Sequence, residues 1–316
     1  MKTILTTGAY GFVGTNLSKY LKEKKEYYQI ALDVQKKELK DYNEEFVWEE
    51  LSQIDFNKVD TIIHLAGKAH DTKNTSQAEE YFKINVGLTK LIFDQFLKSR
   101  ARTFIYFSSV KAVTDSVKNE ELTEDVIPNP QTAYGQSKLD AEKYILSKEL
   151  PEEKNIYILR PAMIHGPGNK GNLNLLYQLV VKGIPYPLGA FSNQRSFTSI
   201  DNLNFIVAQL IQKEVPSGIY QVADTESLST NELIELIASS IGEKSKIWKL
   251  PKGLIKMAAR LGNTFSLPLN TEKLKKLTEN YVVSNKKLTD SLGVSLPISS
   301  KDGMRLTLDS FKDQKH

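Results

Sequence analysis

The first seventeen residues, MKTILTTGAYGFVGTNL, constrain the fold more than any other stretch of the chain. Ile4 and Leu5 form the apolar run of a buried strand. The run breaks into Gly8-Ala-Tyr-Gly11-Phe-Val-Gly14 and resumes at helical spacing with Phe12, Val13, Leu17, Tyr20 and Leu21. Strand, glycine turn and helix, in that order, make a βα unit whose helix start presents N–H groups and the positive end of the helix dipole to a pyrophosphate. Gly8 allows the tight turn, Gly11 the approach of the phosphates and Gly14 the packing of helix on strand. Tyr10, Phe12 and Val13 belong to the same cofactor-facing loop. The spacing is G-x-x-G-x-x-G rather than the commoner G-x-G-x-x-G, and an ordinary glycine-rich loop is the alternative.

The following segments repeat the alternation. Tyr28-Gln-Ile-Ala-Leu32 reads as a second strand ending at Asp33, an acid placed to accept hydrogen bonds from the adenosine ribose hydroxyls. Its charge repels a 2′-phosphate and favours NAD, while Lys36 and Lys37 soften that repulsion and leave NADP open. Phe46-Val-Trp48 is a weak third strand, with Glu50 and Leu51 near an adenine edge. Val59 to Leu65 is a continuous apolar strand of the buried parallel type, running into Ala66 and Gly67, where a backbone can approach the cofactor. Helical periodicity covers Gln77 to Lys98 with Asn85 in its middle, and Thr103 to Phe107 is a strand that stops at Ser108-Ser109. The alternation predicts a doubly wound parallel sheet. Gly8, Asp33, Ala66 and Ser109 all fall at strand carboxyl ends, the edge where such sheets bind ligands.

After a loop over 119–131, a helix opens near Ala133, and Ile156 to Leu159 is a buried strand stopped by Arg160-Pro161. Composition changes after the Gly166-Pro-Gly168 turn. A helix is expected over Asn172 to Lys182, a loop over Gly183 to Ser192, and a strand over Ser196 to Ile200. Asp201 is expected to cap a helix, and Gly218 to Val222 to form a late strand. Helices over 230–241, 254–261 and 271–277 precede the tail. Two units follow: a dinucleotide-binding domain over 1–165 to which 196–224 returns, and a smaller mixed substrate domain from 166–195 and 225–316.

With 316 residues, 40% apolar and 25% charged, the chain can bury a large core. A net charge of +4 gives no reason to expect a nucleic-acid partner, and lysine groups such as Lys273 to Lys276 read as solvated faces. The absence of cysteine excludes disulfides and thiolate metal sites and fits a cytoplasmic protein. No apolar run approaches ~20 residues and the N-terminus enters a strand directly, so neither a membrane span nor a signal peptide is expected.

Tyr134 and Lys138 stand four apart on one helix face. A tyrosine near its ordinary pKa of about 10 exchanges protons poorly at neutrality, and a neighbouring cation is expected to lower it. With a serine hydroxyl from an adjacent strand end, the pair makes a proton shuttle between alcohol and ketone while a hydride moves to or from nicotinamide. Taken alone, Tyr-x-x-x-Lys is an ordinary surface pair.

Taken together, the motifs resemble those of the extended short-chain dehydrogenases/reductases of the nucleotide-sugar epimerase group. The resemblance rests on TTGAYGFVG (6–14), Asp33, HLAG (64–67), KINVG (83–87), FSSV (107–110), YGQSK (134–138), RPAMIHGPGN (160–169) and QRSFTSIDN (194–202). It implies a Rossmann-type sheet, Tyr134 as general acid/base, Lys138 as its activator and a ribose ligand, and Ser109 orienting the sugar hydroxyl. It also implies Asn85 in support, Ser108 and Arg160 beside the cofactor, Arg195 on the nucleotide diphosphate, and Asn172 on the substrate side. A homodimer through helices 77–98 and 134–148 is implied too, with Val86, Leu88, Ile92 and Phe96 as candidates for its face, though a purely internal core role explains them equally well.

Departures from the group's pattern bear on the substrate. Ser108-Ser109-Val110 stands where 4,6-dehydratases carry Thr-Asp-Glu, so the carboxylate pair that an elimination needs is missing. Lys111, Lys68 and His70 place positive charge near the sugar pocket or else are solvated loop side chains, and His165 replaces the usual tyrosine before the GPG turn. Two activities stay open: a 4-epimerase on a UDP-hexose or UDP-N-acetylhexosamine, and a one-way 4-keto reductase of UDP-linked 6-deoxy-N-acetylhexosamines, to which the SSVK pattern is similar. A non-catalytic dinucleotide-sensing protein would be expected to have lost Ser109, Tyr134 or Lys138, and all three are present.

Overall fold

A computed structural model describes residues 1–68, 77–117, 121–169, 171–265 and 270–313. Its main sheet contains β1 (Lys2–Thr7), β2 (Tyr27–Asp33), β3 (Glu44–Val47), β4 (Thr61–His64), β5 (Thr103–Phe107), β6 (Asn155–Pro161) and β9 (Gly218–Val222). The spatial order is β3-β2-β1-β4-β5-β6-β9, with every pairing parallel. Order reverses between β1 and β4, and the crevice outside the strand ends at such a switch point is where these sheets bind ligands.

Period-2 alternation assigns each strand's side chains to two cores. Ile4, Ile63, Ile105 and Leu159 face one way, onto Leu17 and Leu21 of α1 (Phe12–Lys24) and onto Leu203, Ile206, Val207 and Leu210 of α6 (Ile200–Gln212). Leu5, Ile62, Phe104 and Ile158 face the other way. They meet Ile92, Phe93 and Phe96 of α3 (Gly87–Lys98) and Ala141 and Ile145 of α4 (Ala133–Leu146). Helices on both faces make the sheet doubly wound, as the alternation predicts.

Ile92 and Phe96 are therefore core residues and cannot form the outward face expected of them, since both are fully buried. The expected helix over 77–98 is α2 (Ala78–Tyr81), a π-helical turn over Phe82–Val86, and α3. β6 runs through Arg160-Pro161 instead of stopping before them. The cap of α6 is Ser199, whose hydroxyl accepts from Asn202 N–H, while Asp201 sits inside the first turn.

A second, two-stranded parallel sheet joins β7 (Met163–His165) to β8 (Phe197–Ser199). Around it lie α5 (Asn172–Val181), α7 (Thr230–Ser240), α8 (Lys252–Phe265), α9 (Thr271–Thr278), α10 (Lys286–Leu292) and α11 (Ser300–Asp313). The segment after 277, given no element in the sequence, thus carries two helices, α10 and α11. Met304, Leu308 and Phe311 of α11, spaced i, i+4, i+7, close a core with Leu173, Tyr177, Leu233 and Ile237. Leu288 and Leu292 of α10 instead join the core of the main sheet, so the chain crosses back once more after 224.

Candidate active site

The glycine turn sits where β1 meets β4. Gly8 has φ +67°, and a Cβ there would lie 2.7 Å from Ala66 N; one on Gly14 would lie 2.4 Å from the Ala9 carbonyl oxygen. A side chain at Gly8 would push the turn off the segment after β4, and one at Gly14 would push α1 off the turn. Gly11 N-caps α1 with no side-chain cap, and the first turn carries no acid. The amides of that turn are left for an anion, so the loop fits a dinucleotide pyrophosphate. Tyr10, Phe12 and Val13 lie in this turn, with Tyr10 edge-on to Tyr42 at 6.0 Å.

Asp33 at the end of β2 accepts from Tyr10 N–H through Oδ2 at 2.8 Å and from Val34 N–H through Oδ1 at 2.7 Å. Each oxygen keeps a second lone pair for a ribose hydroxyl. The two lysines expected to soften its charge are engaged elsewhere. Lys36 Nζ lies 2.7 Å from Glu50 Oε2, and Lys37 Nζ lies 5.4 Å from the centre of the Tyr10 ring. Glu50, expected at an adenine edge, spends its carboxylate on Lys36 and on Val47 N–H (3.1 Å), while Leu51 and Leu65 pack onto the two cores.

Tyr134 is the second residue of α4, behind Thr132, whose hydroxyl caps the helix by accepting from Gly135 N–H. Its phenol is hydrogen-bonded to Ser109 and meets the Tyr81 ring edge-on at 6.1 Å. Ser109 Oγ also accepts from Lys111 N–H at 3.2 Å, which fixes the serine at the end of β5. Burial raises the Tyr134 pKa, the Ser109 hydrogen bond draws it down, and Tyr81 adds a small rise. The expected lowering by Lys138 is absent. Lys138 Nζ donates to the Phe107 carbonyl at 2.8 Å and lies over the Tyr106 ring at 5.1 Å. Burial lowers its own pKa to about 8, against the pull of Glu142.

Glu142, which the sequence reading passed over, occupies the next turn on the same helix face as Lys138. It accepts from Arg160 Nε at 2.9 Å and Nη2 at 2.5 Å and from the Ser108 hydroxyl, with both charged groups almost fully buried. The side chains of Arg160 and Ser108 are thus bonded to Glu142. Its signal in the sequence was an acid at i+4 from a lysine on a helix with an apolar neighbour, a pattern that also fits a surface pair.

Asn85 lies in the π-helical turn and is buried. Its Oδ1 accepts from Lys68 N–H at 2.7 Å and its Nδ2 donates to Ser137 Oγ at 2.9 Å, tying the segment after Gly67 to α4. π-turns of this kind recur at functional sites. His64 binds Thr7 and Thr89 through its two ring nitrogens, and burial lowers its pKa to about 3, so it stays neutral and joins β1, β4 and α3.

On the substrate side, Lys68 Nζ pairs with Glu80 Oε2 at 2.5 Å. Lys111 Nζ donates to the Asp115 carbonyl at 2.9 Å and lies over the Tyr281 ring at 4.4 Å. Burial and the nearby charges of Arg195 and Lys276 lower its pKa, opposed by Asp115 and Glu279. Arg195 is held by backbone bonds to Leu228 on one side, while its neighbours bond Tyr281 on the other; Nη2 donates to the Lys276 carbonyl and Nε is buried with no partner. Tyr281, whose hydroxyl donates to the Thr114 carbonyl at 2.8 Å, gave no signal in the sequence because its partners are remote in the chain. His165 is sealed between Thr307 (2.8 Å) and Asp224 (3.5 Å), beneath the second sheet. His70 and the side chain of Asn172 lie outside the described residues.

An alcohol or ketone placed against Ser109 and Tyr134 would lie beside the crevice of the glycine turn, the arrangement of a dinucleotide-dependent enzyme of the extended short-chain dehydrogenase/reductase type. The model of one family, the NAD dependent epimerase/dehydratase family, matches residues 4–223. The chain belongs to that family. It is 30% identical to a UDP-glucose 4-epimerase of Vibrio cholerae over 98% of this chain and 95% of the relative. It is 27% identical to an N-acetyl-alpha-D-glucosaminyl-diphospho-ditrans,octacis-undecaprenol 4-epimerase of Escherichia coli O157:H7 over 78% of this chain and 75% of that one. A UDP-glucuronic acid 4-epimerase from Bacillus cereus, solved in complex with NAD, superposes with a TM-score of 0.75 at 19% identity, covering 99% of this chain and 100% of the other. At that identity the likeness shows the fold alone.

Proposed function

We propose that the protein is a 4-epimerase of a UDP-hexose or UDP-N-acetylhexosamine, supplying precursors for a cell-surface polysaccharide from the cytoplasm. The observation that carries this reading is the Tyr134–Ser109 hydrogen bond at the end of β5, next to the uncapped helix start. The Vibrio cholerae relative, matched along nearly its whole length, supports the choice of epimerase over one-way reductase.

The turn from Gly8 to Gly14 would hold the pyrophosphate of NAD and Asp33 the adenosine ribose. Ala66, Gly67 and Asn85 would line the path towards Tyr134 and Lys138. Bound there, NAD supplies a hydride acceptor that returns the same hydride. Ser109 would fix the C4 hydroxyl of the sugar and Tyr134 Oη take its proton as the C4 hydrogen leaves as hydride, giving a 4-keto sugar. In the return direction Tyr134 Oη would give the proton back to the C4 oxygen, with Ser109 still holding that oxygen. Arg195 and Lys111 would hold the nucleotide diphosphate and sugar end. The substrate domain would be built from 166–195 and most of 225–316, and a homodimer would form through α3 and α4, where Leu91 and Leu146 are exposed.

Incubation of the purified protein with UDP-glucose or UDP-N-acetylglucosamine, followed by NMR, should show the galacto epimer without net consumption of dinucleotide. Stoichiometric oxidation of NAD(P)H on a 4-keto sugar, with no epimerisation, would replace this reading by the reductase. Tyr134→Phe should lower kcat by about 10²–10⁴-fold, the range of general acid/base catalysis, with dinucleotide binding nearly unchanged. A variant that kept most of its activity would remove Tyr134 from the proton path.

A further inference from the structure

Charge is distributed very unevenly along the chain. Between Lys244 and Thr278 there are nine lysines and arginines and one acid, Glu272, so this segment is +8 while everything outside it sums to −4. The same segment holds five of the fifteen large apolar side chains exposed among the described residues: Trp248, Leu254, Met257, Leu261 and Leu277, each between 46% and 56% exposed. Two stripes run along α8. Lys252, Lys256 and Arg260 recur at i, i+4, i+8, and Leu254, Met257 and Leu261 at i, i+3, i+7. The helix is anchored from a third side, where Ile255 and Ala259 pack on a core shared with Leu274 of α9 and with Ile247 and Leu250. The exposed leucines and methionine are thus surplus to that core.

We infer that α8, with α9 beside it, is a peripheral docking surface for an anionic phospholipid bilayer. An apolar stripe that enters the acyl boundary, beside lysines whose stems lie along the surface with their ammonium groups at the phosphates, is the arrangement of interfacial helices. Charge selects the occupant. A second copy of this chain would bring +8 against +8, and a nucleic-acid backbone would use the cations but leave Leu254, Met257 and Leu261 unburied. A lipid surface with anionic headgroups uses both stripes. The surface also adjoins the candidate site: the Lys276 carbonyl of α9 accepts from Arg195 and the Leu277 carbonyl from Asn193 Nδ2 (3.4 Å). Docking through α8 and α9 therefore brings the substrate side of the cleft to the membrane.

The test is co-sedimentation of the full chain with phosphatidylcholine vesicles and with vesicles containing phosphatidylglycerol. Binding should require phosphatidylglycerol and weaken with salt. The variant Lys252→Glu/Lys256→Glu/Arg260→Glu should bind at least about tenfold more weakly. The variant Leu254→Ser/Met257→Ser/Leu261→Ser should lose about tenfold as well, because the buried apolar contribution goes. Both should keep their circular dichroism melt and their turnover of a water-soluble nucleotide sugar, so failure here is separable from failure of the epimerase reading. Absence of wild-type binding overturns the proposal. So does a serine variant that binds vesicles like wild type while the glutamate variant alone loses binding to duplex DNA, which would mark a polyanion site. A serine variant that turns a dimer into a monomer by light scattering overturns it equally, in favour of a subunit interface.

Discussion

The two sides of the cleft are built on opposite principles. On the dinucleotide side three polar side chains are tied within the chain: Asp33 takes two amides, Asn85 three groups, and Glu142 both arms of Arg160 and the Ser108 hydroxyl. On the substrate side, burial lowers the pKa of both Lys111 and Arg195, the Arg195 charge adds to the fall at Lys111, and Arg195 keeps a buried Nε without a partner. One side is preorganised by its own hydrogen bonds. The other holds unspent charge, which is what an anionic substrate would neutralise.

The contrast predicts that a lost charge damages folding on one side and binding on the other. The largest effect is expected for Glu142→Ala, which leaves Arg160 charged and buried without its partner. Urea denaturation should show a loss of about 3–5 kcal/mol. A loss under about 1 kcal/mol would mean that the pair is not what seats α4.

A second, smaller effect has the opposite sign. Lys138 has a folded pKa of about 8, below the ordinary lysine value of 10.5. Between those values the unfolded chain binds the proton more tightly, so the lysine costs stability in full below pH 8, and the cost disappears as pH approaches 10.5. Lys138→Met removes that cost, about 3 kcal/mol, and loses a hydrogen bond worth roughly 1 kcal/mol. The variant should be inactive yet about 2 kcal/mol more stable at neutral pH, with the advantage gone by pH 10. Equal gains at pH 7 and pH 10 would show that the charge of Lys138 is not strained.

The smallest effect belongs to the substrate side. Arg195→Met should leave the thermal melt nearly unchanged and raise KM for a nucleotide sugar about tenfold, the value of one charge-assisted hydrogen bond to a phosphate. A large fall in stability with KM unchanged would move Arg195 to the structural side of the comparison.

What could be read from the sequence follows the same division. Gly8, Asp33, Ala66 and Ser109 were legible because each ends a strand whose apolar run is local, and local patterns survive in one dimension. The last two helices were not legible, since the seven-residue α10 and the fourteen-residue α11 pack on cores made by distant segments. For Ile92 and Phe96 the sequence leaves subunit face and internal core equally open, because periodicity gives a helix an apolar stripe without saying what covers it; here they join a core with Phe104 and Ala141.

By itself the sequence determined the βα order, the strand-end positions and the spacing of Tyr134 and Lys138 on one helix, because strand and helix periods and the four-residue turn are properties of neighbouring residues. Tertiary structure alone decided where the charges go. It turned Lys138 towards Phe107, paired Arg160 with Glu142, sealed His165 away from the cleft, and brought Lys111, Arg195 and Tyr281 together from three separate parts of the chain. The physical reason is that burial and electrostatic neighbours depend on distances in space, and chain spacing does not encode those once segments pack across one another.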